Sequence, residues 1–169
     1  KTLHLMLVMA LILCNINVFA NTDEDEVYQV TLGTGTTTDH STPFVTRHCY
    51  SWNETIYPAT EIGGACTIEA ISYHNNVTDP SNYLELEELS IYMAVSEKLY
   101  FMSPADWTPA DKLIKVYSGE NIILGDTPWE KIKLDIPFYY NGKGNLIVVV
   151  AKKTSQFKPN CQWYYTESE

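Results

Sequence analysis

Positive charge is scarce in this chain. Eleven Lys and Arg stand against 21 Asp and Glu among 169 residues, a formal net charge of −10. Nucleic acid demands a basic surface to displace the counterions on its phosphates, and anionic membrane surfaces ask for the same, so both are disfavoured as partners. Cysteine is sparse, at Cys14, Cys49, Cys66 and Cys161, and the CxxC and CxxH spacings of a structural zinc site are missing. Sustained 3.6-residue apolar periodicity is missing too, which argues against a helical domain. There is no G-x-S-x-G nucleophile elbow and no H-E-x-x-H zinc frame. Gly33-Thr34-Gly35 lacks the third glycine and the following helix of a phosphate loop, and reads as a turn leaving a strand.

What the chain does have begins with its first twenty residues. Lys1 precedes an almost unbroken apolar run, Leu3 to Leu13, and Val18-Phe19-Ala20 offers the small residues that signal peptidase requires. The run is shorter than the ~20 residues of a membrane-spanning helix, and Asp23-Glu24-Asp25-Glu26 follows it. The expected organisation is a cleaved signal peptide over 1–20, an acidic leader over 21–26 and one domain over 27–169, secreted or at the cell surface, with no membrane span after cleavage. Three cysteines then remain. They allow one disulfide and leave a thiol over: Cys49–Cys66 is the pair closest in sequence, and three unbridged thiols are the alternative.

Twelve Tyr, five Phe and four Trp, with many Thr, Val and Ile, give a β-sheet composition. Alternation predicts strands at 27–32, 48–57, 67–74, 86–97, 113–117, 121–124, 129–138, 145–152 and 161–166. Leu89, Ile91, Met93 and Val95 share one face, with Ser90 and Tyr92 on the other. Ile132, Leu134, Ile136 and Phe138 oppose Lys131, Lys133 and Asp135, as in a sheet with one dry and one wet face. Leu146 to Ala151 is apolar on both faces and reads as a central strand. Hairpin turns are expected at Tyr117-Ser118-Gly119-Glu120-Asn121 and at Tyr140-Asn141-Gly142-Lys143-Gly144. Short strands at this spacing predict an all-β, antiparallel β-sandwich of jelly-roll type. Trp52 shares a strand face with Tyr50 and Ile56 and is assigned to the core.

The order Tyr50-Ser51-Trp52, Ile56-Tyr57-Pro58-Ala59-Thr60-Glu61-Ile62-Gly63-Gly64, Thr67-Ile68-Glu69-Ala70-Ile71-Ser72-Tyr73, Ile91-Tyr92-Met93, Asp106-Trp107, Ala110-Asp111-Lys112, Tyr117-Ser118-Gly119 and Pro137-Phe138-Tyr139-Tyr140-Asn141-Gly142 resembles a β-sandwich module of secreted and surface proteins of anaerobic gut and oral bacteria. That module is similar in style to cleaved-adhesin domains. The resemblance runs over residues 27–166, and Cys66 stands where the pattern has a small residue. It implies an extracellular, adhesive or glycan-binding accessory role and carries over no catalytic residue. It also implies further strands after the last one present here.

Loop aromatics are the leading functional candidates, because a sugar's C–H face stacks on an exposed ring while polar neighbours select its hydroxyls. Trp107 lies between Pro104 and Pro109 with Asp106 beside it and Tyr100 upstream, and Trp129 follows Pro128 at a strand entrance. These four are the expected ligand-binding residues, for a glycan or an extracellular protein. No cofactor is expected beyond a structural calcium ion, for which Asp106 and Asp111 are the candidate ligands. Glu85, Glu87 and Glu88 read as solvated edge charges rather than a glycosidase pair. Asn53-Glu54-Thr55 and Asn76-Val77-Thr78 match the N-glycosylation pattern, which a bacterial source would leave silent. The expected function is non-catalytic recognition. The alternatives are a hydrolase assembled from His40, His48 or His74 with distant partners, and a spacer of a larger surface protein.

Overall fold

The structure is a computed structural model. It describes residues 5–8, 10–16 and 26–168, with side chains described from 29 to 166. The proposed cleavage site, Val18-Phe19-Ala20, and residues 21–25 lie outside the described residues. Eleven strands follow in chain order: β1 (Leu5–Val8), β2 (Ala10–Ile16), β3 (Glu26–Leu32), β4 (Thr37–Asp39), β5 (Tyr50–Tyr57), β6 (Cys66–His74), β7 (Leu84–Ser96), β8 (Ile114–Leu124), β9 (Trp129–Tyr140), β10 (Asn145–Lys153) and β11 (Trp163–Ser168). One helical turn, α1 (Ala59–Ile62), lies between β5 and β6 and ends on Gly63, whose φ of 92° suits glycine.

Every pairing among these strands is antiparallel, as the alternation predicted. One four-stranded sheet has the order β5-β10-β7-β8 and the other β3-β2-β6-β9, while β1-β11-β4 forms a smaller third sheet. The two larger sheets share one core. Leu89, Ile91, Met93, Leu146, Val148 and Val150 of the first meet Ile68, Ile71, Tyr73, Ile132, Leu134 and Phe138 of the second. Each fully buried side chain of this size contributes ~1.5–3 kcal/mol. Phe44 closes one end, edge-on to Tyr73 at 5.3 Å and tilted against Trp163 at 4.7 Å. The chain is thus all-β and sandwich-like. No helix of the described residues is long and apolar enough to cross a membrane.

The central-strand reading of Leu146 to Ala151 agrees with the structure. β10 lies between β5 and β7, with Leu146, Val148 and Val150 in the shared core and Ile147 and Val149 in a second apolar cluster on the outer face. Gly142 has the positive φ (72°) expected of the Asn141-Gly142 turn.

Other expectations need correcting. Tyr117 to Asn121 does not turn the chain. It runs inside β8 and pairs with the long β7, Tyr117 with Ile91, Ser118 with Ser90, Gly119 with Leu89 and Glu120 with Glu88. A thirteen-residue partner strand outweighs the local turn preference, and Asn121 takes its positive φ (54°) without reversing direction. Ile136 leaves the dry face and is 57 % exposed. The β6–β9 register jumps there, from Ile68↔Phe138 to Ala70↔Lys133, and in the bulge Asp135 accepts the Ser118 amide of β8 at 2.8 Å. Apart from these corrections, residues of the apolar N-terminal run form two strands, β1 paired with β11 and β2 lying between β3 and β6.

Candidate functional site

The outer face of the β5-β10-β7-β8 sheet is built in rows. Register sets Tyr50, Lys153 and Glu88 side by side, then Trp52, Ala151 and Ser90, then Glu54, Val149 and Tyr92, then Ile56, Ile147 and Ala94. Since side chains alternate along a strand, all twelve point away from the shared core. The face therefore grades from charged and open to apolar and covered.

The covered end is roofed by the loop of residues 97–113, whose Phe101 and Leu113 pack on Ile56, Ala94, Ile147 and Val149. A polar latch ties that loop down. Glu54, with its side chain 1 % exposed, accepts the Thr108 amide at 3.0 Å and the Thr108 hydroxyl at 2.5 Å, and lies 3.8 Å from the Lys98 ammonium. Lys98 also meets the Asp106 carboxylate at 3.2 Å and carbonyl at 2.6 Å. A buried carboxylate needs such partners to stay charged.

The open end is a groove of about 530 Å³, with Ala151 on its floor and Trp52, Tyr92 and Tyr50 along it. That is the size range of small-ligand sites. The Trp52 and Tyr92 rings stand 5.4 Å apart at 38°, and the Lys115 ammonium of β8 lies 5.4 Å from the Tyr92 ring centroid. Lys153 bridges Glu87 and Glu88 at 3.1 Å each; these carboxylates hold its ammonium above its ordinary pKa, and the hydrogen bond from Lys153 leads in holding Glu87 below the usual carboxylate range.

Trp52 is thus not a core residue. It is 42 % exposed and Tyr50 69 %, because both lie on the outer face beyond the reach of the 97–113 loop. Of the loop candidates, Trp107 and Tyr100 are exposed on that loop. Asp106 is part of its latch, its carboxyl held low first by the Met102 amide at 2.8 Å and then by Lys98. Trp129 is apart from these three. It begins β9 in the other sheet and stacks on His74 at 4.6 Å, whose opposite face stacks on Tyr164 at 4.2 Å.

The acids proposed for calcium are not brought together as a cluster. Asp106 serves Lys98, while Asp111 is exposed and pairs with Lys112 at 4.0 Å. Among the described residues, no three His, Cys, Asp or Glu side chains are placed to hold a metal ion. The Cys49–Cys66 disulfide is not formed: Cys49 is an exposed free thiol, while Cys66 and Cys161 are buried. Gly33-Thr34-Gly35 is a turn tied to β11, with the Thr34 and Gly35 amides both donating to the Thr166 hydroxyl, at 2.8 and 2.7 Å. The His40 ring lies 3.9 Å from the Asp39 carboxylate, beyond hydrogen-bond length, and Asp39 accepts the Ser41 amide at 2.5 Å.

The groove residues Tyr50, Trp52, Ser90, Tyr92 and Lys115 escaped sequence reasoning, although the outward position of Ser90 and Tyr92 was readable from the alternation of β7. Protein-family models, curated proteins and solved structures were all compared with this chain, and none matches.

Proposed function

We propose that this protein is a non-catalytic recognition module of the extracellular space or cell surface, and that it binds glycan in the outer-face groove. The observation that carries the proposal is the Trp52–Tyr92 pair, two partly exposed rings 5.4 Å apart over a floor of Ala151. An indole face and a phenol face accept the C–H faces of sugar rings, while Ser90, Glu88 and Lys115 supply hydrogen-bonding groups at the rim. Aromatic rings lose little conformational freedom on binding, which favours them as anchors. The acidic composition, the export-type N-terminal run and the resemblance to bacterial surface modules support the extracellular setting. Trp107 and Tyr100, exposed on the loop that roofs one end of the same face, extend the surface open to a longer ligand.

A glycan array probed with the folded protein tests the reading, followed by titration of the hits against Trp52→Ala. Binding that falls at least tenfold in the variant supports it. Silence across the array from a folded sample, or hits that Trp52→Ala leaves intact, overturns it.

A further inference from the structure

We infer that the groove takes a sugar carrying a carboxylate, and that Lys115 receives that carboxylate. This rests on the glycan reading of the groove and narrows it to a ligand class. The argument is one of charge. Lys153 at the open end is neutralised by Glu87 and Glu88 at 3.1 Å each, and Lys98 under the loop by Asp106 at 3.2 Å. Lys152 is buried and turned inward, its ammonium donating to the His48 carbonyl. Lys115 differs from all three. It is exposed, stands opposite Tyr92 in the β7–β8 register, lies 5.4 Å from the Tyr92 ring, and has no ion-pair partner within 4.0 Å among the described residues.

An ammonium without an ion-pair partner, over a Tyr92 ring that itself packs against Trp52, complements a ligand that is apolar on one side and anionic at its edge. With one sugar ring on Trp52, the carboxylate makes a charge-assisted bond to Lys115, stronger than a hydroxyl would give. The chain's net charge of −10 does not forbid this. Charges more than about 8 Å away are screened at physiological ionic strength, and the acid that lines the groove, Glu88, is already bonded to Lys153.

Two kinds of sugar present this chemistry, internal uronates of polysaccharides and terminal sialic acids. The test uses oligogalacturonate against its methyl ester, and sialyllactose against lactose, each titrated into the intact protein by calorimetry. The expected result is at least tenfold tighter binding of the acid form in one pair, with Lys115→Met removing that preference and a remote Lys143→Met retaining it. A groove that binds the neutral partners as tightly as the acids, or a preference that survives Lys115→Met, overturns this inference and leaves the glycan reading standing. Failure of all four sugars to bind overturns the inference, and silence of the whole array as well brings down the glycan reading.

Discussion

Trp52 and Tyr92 hold their rings 5.4 Å apart on the two strands that flank β10, where the residue beside Trp52 is Ala151. A methyl group at that position is what leaves the groove open. Ala151→Leu should fill the floor and lower ligand affinity at least tenfold. The position faces outward, so the thermal midpoint should stay within about 3 °C of the parent, as is usual for substitutions away from the core. Calorimetric titration and a melting curve on the same sample check both halves. Retained affinity in a folded variant would place the ligand elsewhere.

Glu54 fixes the roof of the same face. Its buried carboxylate holds Thr108 by amide and hydroxyl and faces Lys98 across 3.8 Å. Glu54→Ala strands a buried amide and removes one partner of a mostly buried ion pair, a loss of about 3 kcal/mol. Glu54→Gln keeps an acceptor for Thr108 and should cost about 1–2 kcal/mol. Urea unfolding measures the difference. Limited proteolysis should cut Glu54→Ala first within residues 97–113, and cleavage elsewhere would refute the latch.

How much of this was legible depended on whether the deciding contact was local. β7 and β10 could be read because alternation, or its absence, is a property of consecutive residues: Leu89, Ile91 and Met93 are in the core and Ile147 and Val149 in the outer cluster. The loop carrying Trp107 announced itself through Pro104 and Pro109. Trp52 was misplaced because alternation groups residues by face without saying which face meets the core. Glu54 sits between Trp52 and Ile56 on that face, and its burial depends on Lys98 and Thr108, distant in sequence. The Tyr117–Asn121 segment has turn residues but is held straight by β7. Residues 10–16 carry both an export-type apolar run and the β2 pairing, because an apolar strand and a signal-peptide core have the same composition.

Cys49, Cys66 and Cys161 should separate by exposure. Cys49 is exposed, while Cys66 and Cys161 are buried. Burial, with the Glu130 carboxylate adding to it, pushes the Cys161 thiol up to about 12, so it holds almost no reactive thiolate at pH 8. In a Cys14→Ser chain, a disulfide-exchange reagent at pH 8 should titrate one thiol quickly and the other two only after denaturation. A Cys49–Cys66 disulfide would instead give no fast thiol and one on denaturation.

His74, stacked between Trp129 and Tyr164, gives the domain a pH dependence. Desolvation holds its pKa below the ordinary 6.5. As pH falls through that ordinary value the unfolded chain takes up a proton that the folded chain declines, so the His74 contribution to stability is present above it and lost on acidification. Glu130 acts in the opposite sense: burial holds its carboxyl above the ordinary range, so its contribution is lost as pH rises. Comparison with His74→Phe isolates the histidine. The parent should lose more stability between pH 7.5 and 5.5 than the variant does, by denaturant titration, and equal slopes would exclude the assignment.

Residues 10–16 have two roles that exclude each other. As part of a signal peptide they leave with cleavage after Ala20; as β2 they pair Ala10 to Ile16 with β3 and Ala10 to Asn15 with β6. In the sheet order β3-β2-β6-β9, β2 is the neighbour of β3, so cleavage strips β3 of its ladder and bares one edge of β6. An open strand edge carries unpaired N–H and C=O groups and recruits other chains. A chain beginning at Asn21 should therefore exchange the amides of residues 67–73 faster than the full-length chain, and should self-associate on size-exclusion chromatography. If that shorter chain stays monomeric with residues 67–73 equally protected, the β2 pairing contributes nothing to the fold. Mass spectrometry of the N-terminus of exported protein then decides which role residues 10–16 play in the cell.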